Sequence, residues 1–420
     1  MTLSVGQVVP LVIEKPAVGG LMIARHDGQI VLVGGAIPSE CVTARVTSVA
    51  KGIAYADVVD ILERSPDRRE PMCDLACGGN LYAHIAYSAQ LSIKSAVIAD
   101  ALTRTGRVFW PSPIDVVASP TEGYRLRARL HMRQGQLGFF REGTHELCDA
   151  KATRQLLPAS CEALEAVARG VSRHVVSAEI ELAENIASTE RVIHIETPHP
   201  VGGTLDAAMA NLAELTGLTM ASGASSAVVV SGVPWVIDVL HVHGAELALR
   251  RHVRAFFQGN RYLLAALASQ VVEMVPSRGR VFDLYAGVGV FGLAAAVTRH
   301  AAVVAVEGER YAAADLDANA RLLGEAAEVS HQSVESFVRR RRPPPDTVIV
   351  DPPRTGLTRE ALTGVVALEA PLLIYVSCDP ATFARDARRL IDGGYTIDAI
   401  KAFDLFPNTP HVESVAAFRR

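Results

Sequence analysis

One cysteine ends an apolar run in "PLLIYVSCDPATFARDARRL" (371–390). The run "PLLIYV" reads as a buried strand, and an Asp-Pro pair then opens a basic helical pattern. At that strand end Cys378 could be small filler, a metal ligand or a nucleophile, and for a lone cysteine buried filler is the ordinary reading. A helix start directly behind it favours a thiolate, because the positive end of the helix dipole lowers a thiol's pKa. Acids close two other apolar runs, Glu307 in "AVVAVE" and Asp351 in "VIVDPPRTG". Between them and the chain's middle lies "DLYAGVGVFG" (283–292), with Gly287, Gly289 and Gly292 in a G-x-G-x-x-G pattern after a strand. Such a loop lets a nucleoside approach the backbone, and an acid about 20 residues on can accept both ribose hydroxyls. A nicotinamide dinucleotide would use the same parts. Asp283 decides against it: an acid opening the loop is poorly placed beside a pyrophosphate but suits the cationic methionine part of S-adenosylmethionine. "DPPR" at the end of the fourth strand is a usual place for methyl-transfer chemistry. The methyl donor is therefore the favoured ligand.

Positioning these residues requires a particular scaffold. From about residue 254 helix and strand patterns alternate strictly, which predicts an α/β doubly wound parallel sheet. Ligands of that fold sit beyond the carboxyl ends of the strands, where Glu307, Asp351 and Cys378 all fall. Residues 1 to about 62 read as about five short strands separated by Gly-rich turns, a small barrel of the OB type. "RSPDRREP" (64–71) reads as a charged linker. A loop with two cysteines follows, then a helical pattern from near Leu81 and a β-rich stretch to 250. The expected units are thus 1–63, an OB-like barrel; 71–250, a central α+β domain; and 251–420, a Rossmann-like donor-binding domain.

Composition narrows the classes. The chain of 420 residues is 49% hydrophobic and 20% charged, enough core for roughly two to four domains. No apolar stretch is long enough to span a membrane. The first residues lack a basic region followed by an apolar core, so a cytoplasmic protein, with no membrane partner, is expected. A net charge of −4 gives no global nucleic-acid signature, so any RNA contact must come from local patches. Arg125, Arg127, Arg129, His131 and Arg133 alternate and would share one face of a strand, where they repel each other unless an anion meets them. Six cysteines, at 41, 73, 77, 148, 161 and 378, are too few and too spread for a disulfide scaffold in this length of chain.

The set "FFQGN" (256–260), "FDLYAGVGVFGL", "VIVDPPRTGL", "YVSCDPATFARD" and "DLFPNTPHVESVAAF", in that order, resembles the RNA uracil-C5 methyltransferases that make 5-methyluridine. The first 45 or so residues are similar to the TRAM domain that many members carry, an OB-like RNA binder. The resemblance implies a class I methyltransferase domain and roles for single residues. Cys378 would add to C6 of uracil, Glu413 in "PHVES" would remove the C5 proton, and Asp351 would hold the uracil edge. Gln258, Tyr285, Gly287, Gly289, Glu307 and Asp351 would bind the donor. Val290 stands where relatives often have Asn, so one polar contact to the donor is missing. The chemistry agrees with the residues: C5 of uracil is a poor nucleophile until a thiolate at C6 turns the ring into an enolate.

The loop "MCDLACGGN" (72–80) resembles the iron–sulfur loop of the same family in degenerate form. Cys77 and Cys148 match ligand positions, Cys73 is displaced by two residues, and Asn80 replaces a cysteine. An iron–sulfur cluster on Cys73, Cys77 and Cys148 is one expectation; loss of the metal is the other, since such clusters are normally held by four cysteines. Expected partners are a structured RNA with its target uridine flipped out, ribosomal RNA first and tRNA second, and the protein is read as a monomer. The competing reading is an RNA-binding protein with vestigial methyl transfer, against which the retention of Cys378, Asp351 and Glu413 speaks.

Overall fold

The computed structural model describes residues 2–111, 113–199, 215–223 and 227–420. Among them the strands form a closed barrel, a seven-stranded sheet, a two-stranded hairpin and an eight-stranded sheet. The barrel is built from Val8–Pro16, Met22–His26, Gln29–Gly34, Cys41–Ala50 and Ile53–Glu63. Its first strand buries Val9, Leu11 and Ile13 and turns Val8, Pro10 and Val12 outward, the two-residue period of a half-buried strand. The 64–71 stretch is no loose linker. Arg68 grips the buried Glu40 with Nε at 2.7 Å and Nη2 at 2.6 Å, and Nη2 also donates to the Gly35 carbonyl at 2.8 Å.

The seven-stranded sheet packs one face against the helix Pro158–Val171, whose Leu164, Val167 and Val171 meet Leu130, Ile180 and Ile193. The other face carries the alternating cations of the strand Arg127–Arg133. The anion they need is internal. In the adjacent antiparallel strand Ser177–Glu184, Glu181 lies opposite Arg129 and Glu179 opposite His131. Arg129 Nε donates to Glu181 at 2.8 Å, and Arg127 lies 3.8 Å from the same carboxylate. His131 stacks on Phe140 at 3.7 Å. Most of this face is therefore neutralised within the protein, which the strand's own sequence could not reveal.

In the eight-stranded sheet the order is Ala327–His331, Ala302–Glu307, Arg280–Leu284, Thr347–Val350, Leu372–Ser377, Glu413–Arg419, Thr396–Phe403 and Val116–Val117. The first five are parallel, and Glu413–Arg419 runs antiparallel to both neighbours. Apolar side chains leave both faces. Val281 and Ile349 enter one core with Leu267 and Leu293, while Phe282, Val348 and Tyr375 enter the other with Phe383. This is the doubly wound arrangement read from the alternation.

The sheet also draws on chain from before residue 251. The helix Tyr87–Ala101 places Ile98 in the core with Phe383, and Val116–Val117 pairs in parallel with Ala402 and Phe403 at the sheet edge. Lys94 Nζ reaches Asp404 Oδ1 at 2.5 Å, both side chains buried. The hairpin Trp235–Val242/Ala245–His252 likewise sends Leu240, Leu247 and Leu249 into the core shared with Leu264 and Leu293. Chain from the middle of the sequence is thus built into the C-terminal unit. Among the described residues no helix is long and apolar enough to cross a membrane.

Candidate active site

The strand Arg280–Leu284 is followed by Tyr285, Gly287 and Gly289, all at positive φ (62°, 57° and 101°), and by the helix Val290–Arg299. A tight turn of this hand is easy for glycine and unusual for tyrosine, so Tyr285 is held by its surroundings. Asp283 Oδ2 accepts from Gly292 N at 2.8 Å, and a Cβ at Gly292 would lie 2.6 Å from that oxygen, which is why the third glycine is required. The other oxygen of Asp283, Oδ1, is buried without a partner among the described residues. Glu307, at its strand end, accepts from Gly287 N at 2.9 Å with Oε2 and from Gly308 N and Glu309 N at 2.7 Å with Oε1. The acid predicted for the ribose is thereby fixed beside the glycine loop. Val290 is buried in the core and offers the site no polar group.

Asp351 follows the strand Thr347–Val350 and accepts from Gln258 Nε2 at 3.0 Å, which joins the "FFQGN" and "DPPR" motifs. Across the sheet, Ser377 pairs with Ser414, so Cys378 and Glu413 flank the same strand end. Asp379 caps the helix Pro380–Asp392 by accepting from Thr382 N at 2.8 Å, with Pro380 in the first turn. Glu413 is 3% exposed, and its Oε1 has no partner among the described residues. The structure therefore gathers Gln258, Asp283, Asp351, Cys378 and Glu413 in one place, with Tyr285, Gly287, Gly289 and Glu307 on the adjoining loops.

Burial of so many acids has electrostatic consequences. Asp283 is pushed up to about 7, chiefly by burial. Asp351 is pushed up to about 7 by burial, then by the charge of Asp283. Glu413 is raised well above the usual carboxylate range by burial and by Asp351. Against the expectation of a thiolate favoured by the helix start, Cys378 is pushed up to about 12 by burial, then by Glu413 and Asp351, with Arg354 acting in the opposite sense, so its resting form is the thiol. His411 accepts from Arg354 Nη2 at 2.8 Å with Nδ1, and burial and that arginine hold it down at about 4, so it stays neutral. The unliganded site is short of positive charge, a condition that a cationic ligand relieves.

The cysteine loop behaves otherwise. Cys77 and Cys148, 71 residues apart, are joined in a disulfide, and Cys73 is a free, half-buried thiol. Among the described residues no group of three or more His, Cys, Asp or Glu side chains converges as a metal site. Asn80 is buried, and its amide is not a ligand of iron–sulfur clusters, which are held by thiolates. The set Cys73, Cys77 and Cys148 does not fit the expected cluster: two of its thiols bind each other. Polar contacts brace the loop instead. Gln155 Nε2 donates to the Gly78 carbonyl at 3.1 Å, while its Oε1 accepts from Arg125 Nη1 at 2.7 Å. His84 lies against the barrel, Nε2 at 3.4 Å from the Ala36 carbonyl.

A doubly wound sheet with a glycine loop, a strand-end acid and a buried thiol among carboxyls defines a nucleoside-donor transferase of the methyltransferase class. A model of the tRNA (uracil-5-)-methyltransferase family matches residues 208–420, and a TRAM domain model matches residues 3–59. The chain belongs to that family and is an S-adenosylmethionine-dependent RNA (uracil-C5) methyltransferase. It is 30% identical to an uncharacterized RNA methyltransferase of Corynebacterium glutamicum, over 100% of this chain and 98% of that one. It is 31% identical to the 23S rRNA (uracil(1939)-C(5))-methyltransferase of Pseudomonas putida, over 99% of this chain and 94% of that one. The crystal structure of the Pyrococcus abyssi tRNA (uracil-54, C5)-methyltransferase with S-adenosyl-L-homocysteine matches with a TM-score of 0.77 at 26% identity, covering 97% of this chain and 99% of that one.

Proposed function

We propose that the enzyme methylates C5 of a uridine in ribosomal RNA through a covalent bond between Cys378 and C6. The observation that carries this reading is the meeting of Cys378, Asp351 and the unpartnered Glu413 at one strand end. Cys378 first gives up its proton to solvent; the thiolate adds to C6, and the ring electrons move to the enolate oxygen at C4. C5 then attacks the methyl carbon, the bond from that carbon to sulfur breaks toward sulfur, and a neutral thioether leaves. C5 now carries both a methyl group and a hydrogen. Glu413, ionised by loss of its own proton to solvent, takes the C5 proton, the C5–C6 double bond re-forms, and the sulfur of Cys378 departs as thiolate. Asp351, steadied by Gln258, holds the uracil edge. The TRAM barrel and the full-length likeness to the Pseudomonas enzyme favour ribosomal RNA. The likeness to the Pyrococcus enzyme supports tRNA as the second reading.

The test is transfer of a labelled methyl group to total RNA from cells lacking the enzyme, followed by separation of the RNA classes and mapping. Label at C5 of one uridine in ribosomal RNA is expected. Label confined to tRNA rejects the first choice, and no label in uridine rejects the reaction.

The raised acids add a pH signature. Asp283 and Asp351 are each pushed up to about 7, so the free enzyme holds protons there at neutral pH. A cationic sulfonium stabilises the ionised forms, lowers both values and expels protons. Calorimetric titration in two buffers of different ionisation heat at about pH 7 should show release of on the order of one proton with the donor and less with its neutral product. Equal proton release by both ligands would refute the arrangement. The raised values also mean that the folded state binds more protons than the unfolded one. The protonated pair therefore favours folding at acid pH, and that contribution fades as pH rises through about 7.

A further inference from the structure

The basic helix behind Cys378 suggests, in the sequence, arginines turned toward RNA phosphate. The structure turns one of them, Arg385, inward. Arg385 Nε donates to Asp386 Oδ1 at 2.8 Å, and its Nη2 donates to the carbonyls of Thr355 at 2.9 Å and Leu357 at 3.4 Å. Asp386 is fully buried; its Oδ2 accepts from Leu357 N and from Tyr375 Oη, each at 2.8 Å. One turn earlier, Thr382 Oγ1 donates to the Arg354 carbonyl at 3.1 Å. The bonds to Arg354, Thr355 and Leu357 run from the helix that follows Cys378 to the loop that follows Asp351, while those between Arg385 and Asp386 and from Tyr375 brace the helix side of the junction. Gly356 permits the close approach: it sits at φ +72°, and a Cβ there would lie 2.5 Å from both Asp386 Oδ2 and Arg385 Nη2. Arg388, by contrast, is taken by Asp392 on its own helix.

We propose that Arg385 and Asp386 are positioning residues that latch the Asp351 loop to the Cys378 helix and so set the uracil ring at bonding range of the thiol. The proposal rests on the covalent reading given above. Two groups on different strands must act on one ring, the acid on its edge and the sulfur on C6. A loop held only by its two ends would let them drift, and a misplacement of about 1 Å costs about 10²-fold in rate. A charged carboxylate accepting from a backbone N–H, a phenol and a guanidinium is a stiff junction, because charge-assisted bonds in a buried place are strong and directional. Neither side chain belongs to the gathered acids and thiol, so the latch acts through Asp351 and Cys378.

The experiment uses the full-length protein with RNA carrying 5-fluorouridine, which stalls after methyl transfer because C5 has no proton to lose. The unaltered protein should form a covalent complex stable to denaturing gels; its failure to do so defeats the covalent mechanism and the latch with it. Asp386→Asn should lose about 10²-fold in the single-turnover constant and in the rate of complex formation. Its affinity for S-adenosylhomocysteine and its melting temperature should stay near those of the parent. Arg385→Gln, at a half-exposed site that tolerates change, should lose about tenfold, and Arg385→Lys, which retains a donor, should recover part of that loss. Should Asp386→Asn fail to fold, Arg385→Gln decides alone. A parental trapping rate in Arg385→Gln overturns the proposal. So does a parallel fall in melting temperature, product affinity and rate, which marks a merely structural role.

Discussion

With Cys378 replaced by alanine, the protein is expected to bind RNA and donor as before and to transfer no methyl group, a loss of at least about 10⁴-fold. Nothing else in the gathered site can replace the sulfur. Asp283, Asp351 and Glu413 are carboxyls, and a carboxylate is too weak a nucleophile toward C6 of uracil to substitute. Fold should be untouched, because the strand Leu372–Ser377 stays buried and Asp379 still caps the following helix. Removing the thiol also removes a group that burial and neighbouring acids push up to about 12. Filter binding with RNA, calorimetry with donor and a methyl-transfer assay check the three parts. Residual turnover near that of the parent would sink the covalent mechanism.

Glu413→Gln should fail differently. The amide resembles the protonated acid, which is the form that burial and Asp351 favour in the free protein, so stability should be retained. Addition to C6 and methyl transfer remain possible, but the C5 proton of the adduct has no acceptor. Release of methylated RNA is expected to slow by about 10²- to 10⁴-fold, the usual range for loss of a general base. Protein and ordinary uridine-containing RNA should therefore migrate together on denaturing gels, with the label from the methyl donor in the band. An intact rate of release with no such band would remove Glu413 from this role. The two variants together separate bond formation from bond release.

Much of the site could be read from the chain alone because its parts are local. Glycine spacing at 287, 289 and 292, an acid closing each of two apolar strands and a cysteine between strand and helix are features of a few residues each. The barrel was legible for the same reason, through short β-rich runs separated by Gly-rich turns. What escaped were pairings set by register and distance. The alternating cations at 127–133 looked unopposed until Glu179 and Glu181 appeared on the neighbouring strand. The inward turn of Arg385 escaped because its partners, the carbonyls of Thr355 and Leu357, carry no signal in side-chain type. The likeness of the loop at 72–80 to an iron–sulfur loop suggested metal, yet Cys77 and the distant Cys148 meet each other. The place of the helix Tyr87–Ala101 was hidden too: its buried face mixes Gln90 and Lys94 with Ile93, Val97 and Ile98, so no apolar stripe marks which side is covered or by which element.

That helix has a consequence for how the polypeptide is made. Ile93 and Val97 pack with the barrel, but the helix's buried Lys94 and Gln90 and the short edge strand Val116–Val117 meet partners that lie some 300 residues downstream: Lys94 and Asp404 are separated by 310 positions, and Gln90 and Asn408 by 318. A ribosome that has released the barrel and the seven-stranded sheet still holds back these partners. Ile98 and the buried lysine must wait, uncovered, until the strand that carries Phe418 and the segment that carries Asp404 have been made. Closure of the sheet is therefore tied to synthesis of that downstream stretch, and a chain cut before Asp404 cannot bury Lys94 with its counter-charge.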